Sequence, residues 1–152
     1  MKVLFICHAN ICRSFISEQL LKKYLPGCTV FSRGLYADDS YIVPQKVWDF
    51  LAAKQIAPTD HQSTLLTKDD LHQADYIFLM EQAHADMLLD RYAQYTDKIF
   101  LLNDFVFDKT QDIQDPIGLS GRAFKKQMDV LDKTIYACAE KLKQEMLWKE
   151  LF

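Results

Sequence analysis

Four short apolar runs, KVLFIC (2–7), CTVFS (28–32), ADYIFLM (74–80) and KIFLL (98–102), are separated by longer stretches of helical periodicity. That alternation is the strongest constraint on the fold. Runs this short and this uniformly apolar read as strands buried on both faces. Between them, Ser14 to about Leu25 carries Ile16, Leu20 and Leu21 on one face and is stopped by Pro26-Gly27. PQKVWDFLAAK (44–54) opens with a first-turn proline, QAHADMLLDRYA (82–93) forms a further helix, and residues 121–147 form a long amphipathic one. Each helix must return the chain to the same end of the sheet, and right-handed crossovers are strongly favoured. The expected fold is α/β: a three-layer doubly wound sheet of four parallel strands, order 2-1-3-4, flanked by helices. Ligands of such sheets sit beyond the carboxyl ends of the strands at the point where the order reverses. Cys7, Ser32, Glu81 and the loop after Leu102 that holds Asp115 all fall there.

The chain of 152 residues suits one domain, 1–152, able to bury roughly 70% of its unfolded surface. Its 49% hydrophobic and 26% charged content excludes collagen-like, disordered and disulfide-scaffold classes. A net charge of −3 argues against a nucleic-acid partner, though not against a local cationic pocket. Four cysteines, Cys7, Cys12, Cys28 and Cys138, are too few to staple a chain of this length, so reduced thiols and a cytoplasmic setting are expected. The apolar run before Cys7 is too short for a signal-peptide core or a membrane span, and no membrane partner is expected.

Chemistry concentrates in ICHANICRSF (6–15), where a buried strand gives way to a helix. A loop curling from Cys7 to Arg13 directs backbone N–H groups inward, and the helix starting near Ser14 adds the positive end of its dipole. Phosphate fits such a cradle, and the same field favours a Cys7 thiolate. The Arg13 guanidinium stays charged and presents a planar fork to two phosphoryl oxygens.

VLFICHANICRS resembles the signature of the low-molecular-weight protein tyrosine phosphatases, an apolar strand followed by Cys-x-Gly-Asn-x-Cys-Arg-Ser. SRG (32–34), HQS (61–63), ADYIFLME (74–81) and DPIG (115–118) follow in the order the family shows. The resemblance implies catalysis by Cys7, Arg13 and Asp115, with His8, Ala9, Asn10, Ile11, Cys12, Arg13 and Ser14 forming the phosphate-binding loop. Cys7 would attack phosphorus, and Asp115 would protonate the leaving oxygen and then activate water. Asn10, Ser14, Ser32 and His61 match a supporting network, with Asn10 suited to a left-handed backbone. No metal or other cofactor is implied. The expected partner is a phosphotyrosine-containing protein or peptide, acted on by a monomer or weak dimer.

Four positions depart from the family pattern. Ala9 replaces Gly, and a positive φ there would cost roughly 1 kcal/mol. Phe15 replaces a Pro that would preorganise the helix start, Ile117 stands where many relatives carry an aromatic, and Glu81 stands in place of Asp.

Rival readings exist for individual residues. Cys7 alone could be a small core hydrophobe, and Cys12 either packs or acts as a redox partner of Cys7. Asp115 and Asn10 could serve only as turn formers, and His61 could be purely structural. Cys28 and Cys138 read as core residues, while Tyr36 and Tyr41 either border the pocket or are loop aromatics. At the level of function, a thiol-linked arsenate reductase would need cysteines grouped late in the chain, where only Cys138 stands. A protein-arginine phosphatase tends to carry Thr at the position of Ile11, and the apolar Ile11 favours an aryl phosphate. A noncatalytic phosphotyrosine-binding module has no need of Cys7, Arg13 and Asp115 together. Zinc binding lacks the usual paired cysteine spacing.

Overall fold

The computed structural model describes all 152 residues. Four parallel strands, β1 (Lys2–Cys7), β2 (Thr29–Gly34), β3 (Tyr76–Leu79) and β4 (Ile99–Leu101), form one sheet in the order β2-β1-β3-β4. The reversal between β1 and β3 puts the carboxyl end of β1, and therefore Cys7, at the crevice expected from the element order.

Alternate residues of the central strands serve opposite faces because strand side chains alternate with period two. Val3 and Phe5 of β1 and Phe78 of β3 join the larger core, packed by α1 (Arg13–Tyr24), α2 (Gln45–Ala53), α5 (Leu102–Phe107) and α6 (Gly121–Leu151). Leu4, Ile6, Ile77 and Leu79 face the smaller core under α3 (Lys68–Gln73) and α4 (Gln82–Arg91). Helices on both faces explain why the strands are apolar without interruption.

Several boundaries differ from the sequence expectation. Strand β2 runs two residues past Ser32 because Gly34 pairs with Cys7 and bridges to Leu65. The stretch ADYIFLM is a strand only over Tyr76–Leu79, since Ala74 caps α3. That helix was not anticipated, although Thr67 and Asp70 form a reciprocal capping box at its start. Helix α5 also went unseen; it follows β4 directly and ends at Asp108, whose φ is 55°. Helix α6 continues four residues beyond 147.

Helix α1 differs most from a simple amphipathic pattern, being buried from Arg13 through Leu21. Enclosed between the sheet and α6, its polar residues must find internal partners. Ser17 Oγ donates to the Arg13 carbonyl at 2.7 Å, and Glu18 accepts from Ser32, Gln19 and Lys22 at 2.8 Å each.

Candidate active site

The loop between β1 and α1 is held from outside by its carbonyl oxygens. Those of Cys7 and His8 accept from the backbone N–H groups of Leu35 and Tyr36 at 3.0 and 2.9 Å. The Ala9 carbonyl accepts from Ser63 Oγ at 2.6 Å, and the Asn10 carbonyl meets His61 Nε2 at 2.7 Å. Only a donor can satisfy a carbonyl, so His61 carries its hydrogen on Nε2. With four successive carbonyls turned outward, no backbone N–H from His8 to Ser14 donates to another backbone group. Those amides converge on the hollow at the head of α1, an arrangement that holds an anion.

Asn10 sets the direction of the hydrogen bonds behind the loop. It adopts φ 59°, the left-handed conformation that Asn tolerates better than most residues. The Thr64 backbone N–H donates to Asn10 Oδ1 at 3.0 Å, which identifies Nδ2 as the donor end. Nδ2 then donates to Ser14 Oγ and Ser32 Oγ, each at 2.9 Å. The Ser32 hydroxyl passes its own hydrogen to Glu18 Oε1 at 2.8 Å. The Ser14 hydroxyl, accepting from Asn10, is left with its hydrogen directed at Cys7 Sγ, 2.9 Å away. The network therefore presents a donor to the sulfur, which stabilises a thiolate. All of Cys7, Asn10, Ser14 and Ser32 are buried.

Arg13 is 2% exposed. Its Nη1 donates to Glu81 Oε1 at 2.6 Å and to the Ile113 carbonyl at 2.8 Å, while Nη2 lies 3.8 Å from Asp115 Oδ2. Nη1 is thus committed to orienting the guanidinium, leaving Nε and Nη2 for a phosphoryl group. Asp115 is about half exposed and accepts the Ile117 N–H at 3.1 Å through Oδ1, leaving Oδ2 on the side of Arg13. Lys46 of α2 ties that loop down by donating to the Ile117 and Leu119 carbonyls at 2.7 and 2.6 Å. Asp112 instead caps α4 by accepting the Gln82 N–H at 2.8 Å.

The departures from the family pattern have local answers. Ala9 has no positive φ, so the strain expected for a Gly replacement does not arise. The Phe15 ring is buried, stacks on His61 with centroids 3.9 Å apart and meets Trp48 edge-on at 5.3 Å. Packing of that ring holds the imidazole that holds the Asn10 carbonyl. Ile117 is exposed beside Asp115, and Ile11 packs partly against the larger core.

Cys12, Cys28 and Cys138 are free and buried. Burial, reinforced by Cys7, pushes the Cys12 thiol up to about 12, so it packs as a protonated side chain. Burial also raises Cys28 and Cys138. Tyr36 borders the site, 4.7 Å from the His8 ring, whereas Tyr41 lines a separate surface hollow with Trp48 and His61. No group of three or more His, Cys, Asp or Glu side chains is arranged to hold a metal ion.

Sequence reasoning missed Glu18, Lys46, Ser63 and Thr64. Ser63 lay within the HQS stretch and so was within reach. Glu18 and Lys46 sit in helical stretches where a charge reads as solvent-facing, and Thr64 acts through its backbone.

A parallel sheet, an outward-held loop and a thiol with a directed donor define a cysteine-dependent phosphatase framework. Residues 2–147 match the family described as low molecular weight phosphotyrosine protein phosphatase, and the chain belongs to it. It is 34% identical to a protein-arginine-phosphatase of Geobacillus stearothermophilus over 145 residues, covering 95% of this chain and 97% of that protein. It is 35% identical to the low molecular weight protein-tyrosine-phosphatase PtpB of Staphylococcus epidermidis over 137 residues, covering 88% and 96%. The tyrosine phosphatase Wzb from Escherichia coli K30, solved in complex with sulphate, superposes with a TM-score of 0.83 at 28% identity, covering 93% and 97%.

Proposed function

We propose that residues 1–152 act as one phosphatase domain that hydrolyses phosphotyrosine in a phosphoprotein through a cysteinyl-phosphate. The carrying observation is the Ser14 hydroxyl directed at Cys7 Sγ beneath a loop whose amides remain available. The Cys7 thiolate attacks phosphorus, the P–O bond to the tyrosyl oxygen breaks, and Asp115 gives that oxygen its proton. Asp115 then takes a proton from water as the water attacks phosphorus. The P–S bond breaks, inorganic phosphate leaves and the thiolate is restored. Arg13 and the loop amides stabilise the charge gathered on the equatorial oxygens.

Every residue of this scheme comes from one chain, which fits a monomer or weakly associating protein. Four unpaired cysteines support a cytoplasmic setting, and no helix is long and apolar enough to cross a membrane. A protein-arginine phosphatase is the second reading, favoured by the similarity to the Geobacillus protein. Ile11, partly packed on the larger core, favours the first, because an apolar residue at this loop position suits an aryl ring better than a guanidinium. An arsenate reductase is disfavoured by Cys138, which is fully buried.

The test is parallel turnover of phosphotyrosine, phosphoarginine and arsenate, with Cys7→Ser as the control. Phosphotyrosine turnover that disappears in a folded Cys7→Ser protein is expected. Faster phosphoarginine turnover would install the second reading, and substantial turnover by Cys7→Ser would remove the covalent mechanism. Ile11→Thr is expected to shift the ratio modestly toward phosphoarginine.

A further inference from the structure

Beside the phosphate loop, a cleft of about 220 Å³ lies between α4 and the segments that follow β2. Leu66 and the buried Leu88 form its floor, Tyr36, Leu65 and Met87 its walls, and Arg91 is its only charged lining residue. Tyr36, Leu65 and Met87 are 51%, 55% and 38% exposed, so the walls form an apolar patch open to solvent.

The cleft is joined to the catalytic loop. Tyr36 forms its lip through a hydroxyl donated to Met87 Sδ at 3.4 Å, while the same ring packs on His8, the residue after Cys7. The Tyr36 N–H also donates to the His8 carbonyl. Tyr36 therefore places the cleft next to the loop that would receive a phosphotyrosine.

We propose that the cleft seats an apolar side chain of the phosphopeptide, one to three residues from the phosphotyrosine, with an adjacent acidic residue on Arg91. This rests on the phosphotyrosine reading above. The volume is below the ~300–1,000 Å³ of small-molecule pockets and suits one large side chain. A second copy of the chain is a poorer occupant, since a stable dimer buries about 800 Å² per partner. An extended peptide advances about 3.3–3.6 Å per residue, so residues one to three places away reach about 3–11 Å from the phosphotyrosine. Arg91 makes no ion pair within the chain, and it offers a cation on a protein whose net charge of −3 otherwise repels acidic sequences.

The experiment walks a leucine through an alanine-rich phosphotyrosine peptide, from four residues before to four residues after the phosphotyrosine, and measures kcat/KM. Burial of most of a leucine side chain predicts a peak of about tenfold at one or two neighbouring positions on one side. Leu65→Gln and Met87→Gln should each flatten the peak while leaving p-nitrophenyl phosphate turnover unchanged. Arg91→Gln should remove a preference for aspartate next to that leucine. A flat walk with vigorous p-nitrophenyl phosphate turnover overturns the cleft assignment and leaves the phosphatase reading standing. So does a peak that survives both glutamine variants, or a native dimer that both variants dissociate in sedimentation. Absence of turnover on every phosphotyrosine peptide, with phosphoarginine peptides turned over, overturns the substrate reading itself.

Discussion

Gly34→Ala tests whether the phosphate loop is held as tightly as its outward carbonyls imply. Gly34 ends β2 with an ordinary φ, so conformational freedom does not explain the glycine. Space does. A Cβ at this position would lie 2.8 Å from the His8 carbonyl oxygen, 2.9 Å from Ala37 Cβ and 3.0 Å from the Asn10 nitrogen. Two of these atoms belong to the phosphate-loop backbone, and ordinary contact begins near 3.4 Å, so the loop must move by about half an ångström. Overpacking of this kind costs about 1–3 kcal/mol, offset by about 0.4–1 kcal/mol from the stiffer unfolded chain. The expected net loss is about 1–2 kcal/mol by urea unfolding. Misplacement by about 1 Å can cost about 10²-fold in rate, so half of that predicts roughly a tenfold fall in kcat. Weaker inhibition by inorganic phosphate should accompany it, because the loop amides splay. Gly27→Ala is the control, since its Cβ would meet nothing within 4 Å; it should be neutral or slightly stabilising. Full activity and phosphate affinity in Gly34→Ala would show that the strain is absorbed elsewhere and that the loop is not rigidly coupled to β2.

Asp115→Asn should slow cysteinyl-phosphate formation strongly for phosphotyrosine, whose phenol has a pKa of about 10, and less for an activated aryl ester, read by single-turnover kinetics. Equal losses on both substrates would reduce Asp115 to its turn. Phe15→Ala removes a fully buried ring that packs on His61 and Trp48 and should cost about 3–5 kcal/mol in urea unfolding. It should also lower kcat in the remaining folded protein, since His61 loses its support, and unchanged kcat would separate that stack from catalysis. His84 is buried beside Glu81 at 3.7 Å with Nδ1 unpartnered, and burial lowers its pKa below the ordinary 6.5. Between the two values the unfolded chain binds more protons, so stability is complete above about 6.5 and declines as pH falls toward the folded value. Urea midpoints from pH 5 to 7.5 should flatten in His84→Gln, and an unchanged slope would assign the acid sensitivity to other groups.

The strand order was legible because apolar runs and helical stretches alternate along the chain, and a parallel sheet with right-handed crossovers leaves few arrangements for them. The loop was legible because Cys7, Asn10, Arg13 and Ser14 are neighbours in sequence, where an apolar strand gives way to a helix. Local pattern determined both. It could not show that Ala9 avoids positive φ, that Phe15 trades a proline's rigidity for a stack on His61, or that α1 is buried on every side from Arg13 to Leu21. Those outcomes depend on which distant segments arrive beside the loop: Ser63 at the Ala9 carbonyl, Thr64 at Asn10, Glu81 and Ile113 at Arg13. A polar residue's role is set by its partner, and a partner dozens of residues away is chosen by packing of the whole core. The sequence by itself therefore determined the sheet and which side chains stand along the loop at its edge. Only tertiary structure decided which way the hydrogen bonds point, because a buried hydroxyl or amide takes its direction from the fixed donors and acceptors around it.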